Sequence, residues 1–145
     1  MREILFRGQT RKYGEKVRMG DGQKLPGHWV YGDVLQGAGV HSIIYGGEKE
    51  TDPSVGLDKW VVYTDTLGQF TGLTDKNGKK IFEGDIVQCV RTHCDGEEMI
   101  GHITFHDCCF CVKEKKSINQ PAMDLCGDFE VIGNIHDNPE LLEVE

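Results

Sequence analysis

The chain has 145 residues, a net charge of −8, 38% hydrophobic and 28% charged residues. That balance suits one globular domain, or two small subdomains sharing a core, with no need of disulfide or metal staples. No apolar run reaches the roughly 18 residues of a membrane helix. The short, charged opening Met1–Arg7 is unlike a signal peptide, so the six cysteines are expected to be reduced thiols in a cytoplasm.

Nineteen glycines without a period are close to twice the usual share of about 7% and predict many turns between short strands. In chain order, strands are expected at Glu3–Arg7, His28–Tyr31, Val40–Tyr45, Lys59–Thr64 and Gln69–Leu73. Asp52-Pro53 marks a turn in the charged stretch 46–58, where the strand signal is weakest. Trp29 and Trp60 read as core aromatics. Asn77-Gly78 signals a hairpin, because both residues tolerate positive φ. Ile81-Phe82 is a short apolar pair, Glu83-Gly84-Asp85 a tight turn, and Ile86–Arg91 another strand.

Gly101–Asp107 and Cys109–Lys113 form a predicted hairpin with Asp107-Cys108 as its turn. That register sets His106 against Cys109, Phe105 against Phe110, Thr104 against Cys111 and Ile103 against Val112. Ile103, Phe105, Phe110 and Val112 would line the buried side. Phe129–Ile135 is the last strand. Asn138-Pro139-Glu140 starts a terminal helix of about one turn, with Asn138 as cap and Pro139 in the first helical position. Eight to ten short strands and almost no helix predict an all-β fold. Residues 1–65 would make a smaller N-terminal β subdomain with a basic hairpin region. Residues 66–145 would make a barrel-like C-terminal part.

Charge is unevenly spread. Residues 1–24 hold seven basic side chains (Arg2, Arg7, Arg11, Lys12, Lys16, Arg18, Lys24) against Glu3, Glu15 and Asp21. That segment is +4, and the remaining −12 restores the total of −8. A basic arm on an acidic body can meet an anion or a neighbouring subunit. A solvated hairpin is the plainer reading.

Several motifs fall away on their spacing. Gly72–Lys79 looks superficially like a phosphate loop, but its glycines are one residue too far apart and Lys80 stands where a hydroxyl should bind magnesium. A calcium loop from Asp75 fails because Gly78 falls at the fourth position rather than the sixth.

A Cys/His group is denser: Cys89, His93, Cys94, His102, His106, Cys108, Cys109 and Cys111 lie within 23 residues. The hairpin register puts His106, Cys109 and Cys111 on one face, outside the apolar side, where cross-strand neighbours could share a metal. No Cys-X-X-Cys pair supports them, and half-exposed thiols on a strand is the plainer reading. Cys109 beside His106 lacks an oxyanion donor and an orienting carboxylate for nucleophilic chemistry. Glu83 and Asp85 could work as an acid/base pair, although their turn explains them more simply.

Three segments carry a family resemblance. Met1–Gly8 followed by Trp29–Asp33 resembles the opening of the YopX family. Gly68-Gln-Phe-Thr-Gly-Leu-Thr-Asp-Lys-Asn-Gly-Lys-Lys-Ile-Phe-Glu-Gly-Asp-Ile-Val87 is the stronger match, and Glu130–Leu142 resembles the family's closing signature. Between them, Gly101–Phe105 stands where such proteins carry another strand. The resemblance implies a β-rich protein of bacteriophages and prophages with a small barrel in its second half. It implies no activity, and the Cys/His group lies outside its pattern.

The expectation is therefore a non-enzymatic phage accessory protein without a cofactor, binding a protein partner that includes another copy of itself. Nucleic acid bound by residues 2–24 is the alternative, opposed by the net charge. A metal on the Cys/His hairpin is the second alternative.

Overall fold

The computed structural model describes residues 2–10, 29–36, 39, 41–45, 59–90, 98–115, 123–124 and 128–143. The chain divides into two compact units, Glu3–Gln69 and Phe70–Glu145 together with Met1–Arg2. Among the described residues no helix is long and apolar enough to cross a membrane.

In the N-terminal unit, β1 (Phe6–Gln9), β2 (Trp29–Leu35), β3 (His41–Tyr45) and β4 (Lys59–Tyr63) pair antiparallel in the order β4-β3-β2-β1. Gly68 and Gln69, at the head of β5 (Gly68–Thr74), pair with β1 on its other side. Side chains alternate across a strand. Accordingly Ile44 and Val62 point into a core with Val30, against which Val34 and Leu67 pack. A Cβ on Gly8 would come 2.9 Å from Val62 Cγ2, so only glycine lets β1 approach the core this closely.

A 3-10 turn at Thr64–Thr66 closes β4. There Thr66 Oγ1 donates to the Tyr63 carbonyl (2.6 Å) and accepts the Gln9 N–H (2.9 Å), tying the turn to β1. Trp29 is half-buried, as a core aromatic would be, but Trp60 remains 37% exposed. The first strand begins three residues later than the sequence predicts, at Phe6.

In the C-terminal unit the rest of β5 pairs with β6 (Lys80–Phe82) as a hairpin. A five-stranded antiparallel sheet follows: β7 (Asp85–Val90), β8 (Glu98–His106), β9 (Cys109–Glu114), β10 (Met123–Asp124) and β11 (Glu130–Asn134), in the order β10-β9-β8-β7-β11. This sheet is open. Among the described residues β11 pairs with β7 and not with β10, which corrects the expected barrel to a sheet with two ends. Its core holds Ile81, Val87, Met99, Ile103, Val112 and Phe129. The terminal helix is a 3-10 turn, Pro139–Leu142.

The predicted β8–β9 register is the one found, from His106↔Cys109 to Ile103↔Val112. One burial expectation is corrected. Phe105 is 54% exposed and meets Phe110 edge-on, ring centroids 5.2 Å apart. The core ends at the Ile103–Val112 row, and the hairpin carries one further aromatic row beyond it.

Candidate functional site

The opening motif lies on β1 and β2, and the two longer motifs that carry the family resemblance meet in the turns of the C-terminal unit. Asp75 Oδ1 accepts the N–H groups of Asn77 and Lys79 (both 2.9 Å), and Oδ2 accepts that of Val131 (3.1 Å). One carboxylate thus builds the β5–β6 loop and fastens it to β11. Burial works to raise the Asp75 carboxyl. The N–H groups of Val131, Lys79 and Asn77, with the Lys79 charge, outweigh it and hold the pKa below the usual carboxylate range. Of the Asn-Gly pair, only Gly78 takes positive φ (83°). The hairpin is therefore set by the Asp75 side chain as much as by the dipeptide.

Gly84 (φ 88°) donates its N–H to Ile103 O and accepts from Ile135 N–H, both at 2.9 Å. Next to it Asp85, 2% exposed, accepts the Phe82 N–H on Oδ2 at 2.8 Å. The Glu83–Asp85 corner is in this way a turn whose aspartate holds the backbone of β6. At the closing signature Asn138 does not cap the last turn with its side chain. Its Oδ1 instead accepts the Asn134 N–H (3.3 Å), while Asn134 Oδ1 accepts those of His136 (3.0 Å) and Asp137 (2.9 Å). The side chain expected to cap one turn locks the preceding one. A Cβ on Gly133 would stand 2.6 Å from Asn138 Oδ1, so the Gly-Asn pair is part of the same lock.

The Cys/His residues are distributed along the β8–β9 hairpin. His106, Cys109 and Cys111 share a face, as the register requires. His106 and Cys109 are exposed, but Cys111 is 3% exposed, so this face is covered at that position rather than open as the sequence reading expects. Cys109 Sγ donates to His106 O (3.3 Å), and His106 Nδ1 faces Asp107 Oδ1 at 3.2 Å. Cys111 Sγ lies 3.7 Å from Thr104 O and 3.9 Å from Cys109 O. Burial first, then the neighbouring Cys109 thiol, push the Cys111 thiol up. Among the described residues no three His, Cys, Asp or Glu side chains come together to hold a metal ion. His93, Cys94 and Cys126 lie outside the described residues.

Of the basic residues singled out in the sequence, Arg11, Lys12, Lys16, Arg18 and Lys24 lie outside the described residues. Arg2 is exposed. Arg7 is not at the surface. It is 5% exposed, with its guanidinium carbon 4.6 Å above the centre of the Trp29 ring, a cation–π stack within the N-terminal unit.

A surface that the sequence reading passed over lies on the same unit. Leu35 pairs with Ile43, and Ile43 with Val61, so the three make one cross-strand row on β2, β3 and β4. Leu35 is 57% and Val61 58% exposed. Among the described residues β4 has a neighbour on one side only, β3, and is an edge strand. The signal was the run Trp60-Val61-Val62-Tyr63. Four consecutive apolar residues in an extended strand cannot all face one core.

These open antiparallel sheets, joined by side-chain-locked turns, define a β-rich chain whose signature residues build turns. The family model described as YopX protein matches residues 23–143. The chain belongs to the YopX family. It is also similar in fold to a solved structure, the crystal structure of protein EF1440 from Enterococcus faecalis, with 22% sequence identity and a TM-score of 0.50. That likeness covers 99% of this chain and 100% of the other. No curated protein matches the sequence.

Proposed function

We propose that this YopX-family chain is a non-enzymatic phage or prophage accessory protein that binds a protein partner through the β4 edge, and that the partner this edge fits is a second copy of the chain. One observation carries the reading: Val61, at the centre of β4, is 58% exposed on a strand that among the described residues is the edge of its sheet, and it ends the apolar row Leu35–Ile43–Val61. Edge strands can pair with other chains, and Val61 with its two neighbours Trp60 and Val62 carries neither charge nor proline, Lys59 at the head of β4 being the one charge on the strand. An antiparallel β4–β4 contact about a two-fold axis sets Val61 opposite its own copy. It continues the apolar row into the next molecule as an isologous interface.

Nucleic acid remains the alternative reading. It rests on the charge of residues 1–24, from which the buried Arg7 is subtracted. Sedimentation velocity over a concentration series separates the two. A dimer that forms with rising protein concentration supports the reading; a monomer at every concentration overturns it. DNA or RNA binding whose log affinity falls steeply with log salt, by a protein that stays monomeric, supports the alternative.

A further inference from the structure

We propose that the exposed Asn77-Gly78 pair is a site of spontaneous deamidation, that the Asp75 lock holds it closed in the folded chain, and that the modified loop cannot lock again. Asn-Gly is the dipeptide most open to this reaction, because glycine has no side chain to shield the backbone nitrogen that follows the amide. The Gly78 nitrogen attacks Asn77 Cγ. A new C–N bond forms, the Cγ–Nδ2 bond breaks, and ammonia leaves with the proton that Gly78 gives up. Water then opens the succinimide ring at either carbonyl and leaves aspartate or isoaspartate. Solvent water is the sole co-reactant, and nothing is oxidised or reduced.

The folded loop restrains both partners of the attack. Gly78 N–H donates to Asp75 O at 3.0 Å, which engages the nucleophile. Asn77 Nδ2 points to Glu130 Oε1 on β11 at 3.5 Å, beside the Lys76–Glu130 ion pair at 3.1 Å, which holds the electrophile aside. Asp75 Oδ1 fixes the backbone on both sides of the pair through the N–H groups of Asn77 and Lys79. Burial gives no protection here: Asn77 and Gly78 are exposed, and a Cβ on Gly78 would meet nothing within 4 Å. The reaction therefore waits for local opening of the loop, as hydrogen exchange does. Its product resists closing. A carboxylate then faces Glu130 where an amide donor stood, and like charges repel. Isoaspartate also adds a methylene to the backbone between Asp75 and Lys79, which the bond from Asp75 N–H to Lys79 O closes at 2.7 Å. The extra carbon shifts the Gly78 and Lys79 N–H groups away from their Asp75 acceptors.

The test is peptide mapping by mass spectrometry of the full chain, aged folded and urea-unfolded in mildly alkaline buffer, with the product counted at Asn77. The folded wild type should react more slowly than the unfolded chain by about the protection factor of its Gly78 amide in hydrogen exchange. Asp75→Asn, folded by circular dichroism, should react faster than the wild type on the order of tenfold. Gly101→Ala weakens the β8–β9 pair instead, since its Cβ would press on the Lys113 carbonyl, and while folded it should keep the wild-type rate. Equal rates in the folded and unfolded wild type would overturn the proposal, as would an unchanged rate in folded Asp75→Asn. So would equal acceleration in Gly101→Ala and Asp75→Asn, because global unfolding would then be the gate. The isoaspartate product should lose hydrogen-exchange protection at Gly78 and Lys79, and retained protection would contradict the failure to lock again.

Discussion

Asp75 concentrates three backbone N–H donors on one carboxylate and is the residue on which the β5–β6 loop depends most. Asp75→Asn replaces one acceptor oxygen by an amide that cannot accept the Val131 N–H. The expected cost is about 2 kcal/mol, read by urea unfolding at neutral pH. Because the folded pKa is depressed, the contribution of Asp75 is fully present above the unfolded value of about 3.9 and is lost as pH falls through the lower folded value. His102 acts earlier in an acid titration. Burial first, and the Lys113 charge second, lower its pKa, so the folded chain holds it neutral. The unfolded chain takes up the proton near pH 6.5, so stability should fall as pH drops from about 6.5 through the folded value. In His102→Gln that part of the acid slope should vanish, while the Asp75 part below about pH 4 persists.

At the scale of elements, the β8–β9 hairpin shows what a sequence can and cannot say. Its register was legible, because a two-residue turn at Asp107-Cys108 admits one pairing. The buried set was only half legible. Alternation marks Phe105 as facing the same way as Ile103 but does not say where along the strand the core stops. β10, two residues long, has no period to read. The barrel was misjudged because pattern names strands and not which of them meet. The cap expected of Asn138 went elsewhere because its oxygen found the Asn134 N–H.

The turn itself carries strain that can be measured. Asp107 and Cys108 both take positive φ (49° and 63°), the paired left-handed geometry for which Asn-Gly is the favoured sequence. Cys108→Gly is expected to stabilise the protein by about 1 kcal/mol in thermal or urea unfolding. A destabilisation would mean that the Cys108 side chain holds the turn. Gly101→Ala should act in the opposite sense. Its Cβ would lie 2.5 Å from the Lys113 carbonyl oxygen and 2.8 Å from Val112 Cγ1. The carbonyl belongs to the adjoining strand and cannot retreat without spreading the pair, so a loss of about 2 kcal/mol is expected.

For the whole molecule, the two longer family motifs and the proposed contact fall for the most part in different units, while the opening motif shares the unit of the contact. The turns of the two longer motifs lie in Phe70–Glu145, where Asp75 and Gly84 bind one strand end to another and Asn134 locks the turn after β11. They explain how the chain folds, and a fold admits many functions. The candidate interface lies in Glu3–Gln69, on an edge that the sequence announced only through one unbroken apolar run. Hydrogen exchange at the β4 backbone amides, measured in dilute and in concentrated protein, tests the central claim most directly. Exchange of residues 59–63 should slow as concentration rises, and Val61→Lys, a surface change worth within about 0.5 kcal/mol to the monomer, should remove the dependence. Identical β4 exchange at all concentrations in the wild type would contradict it.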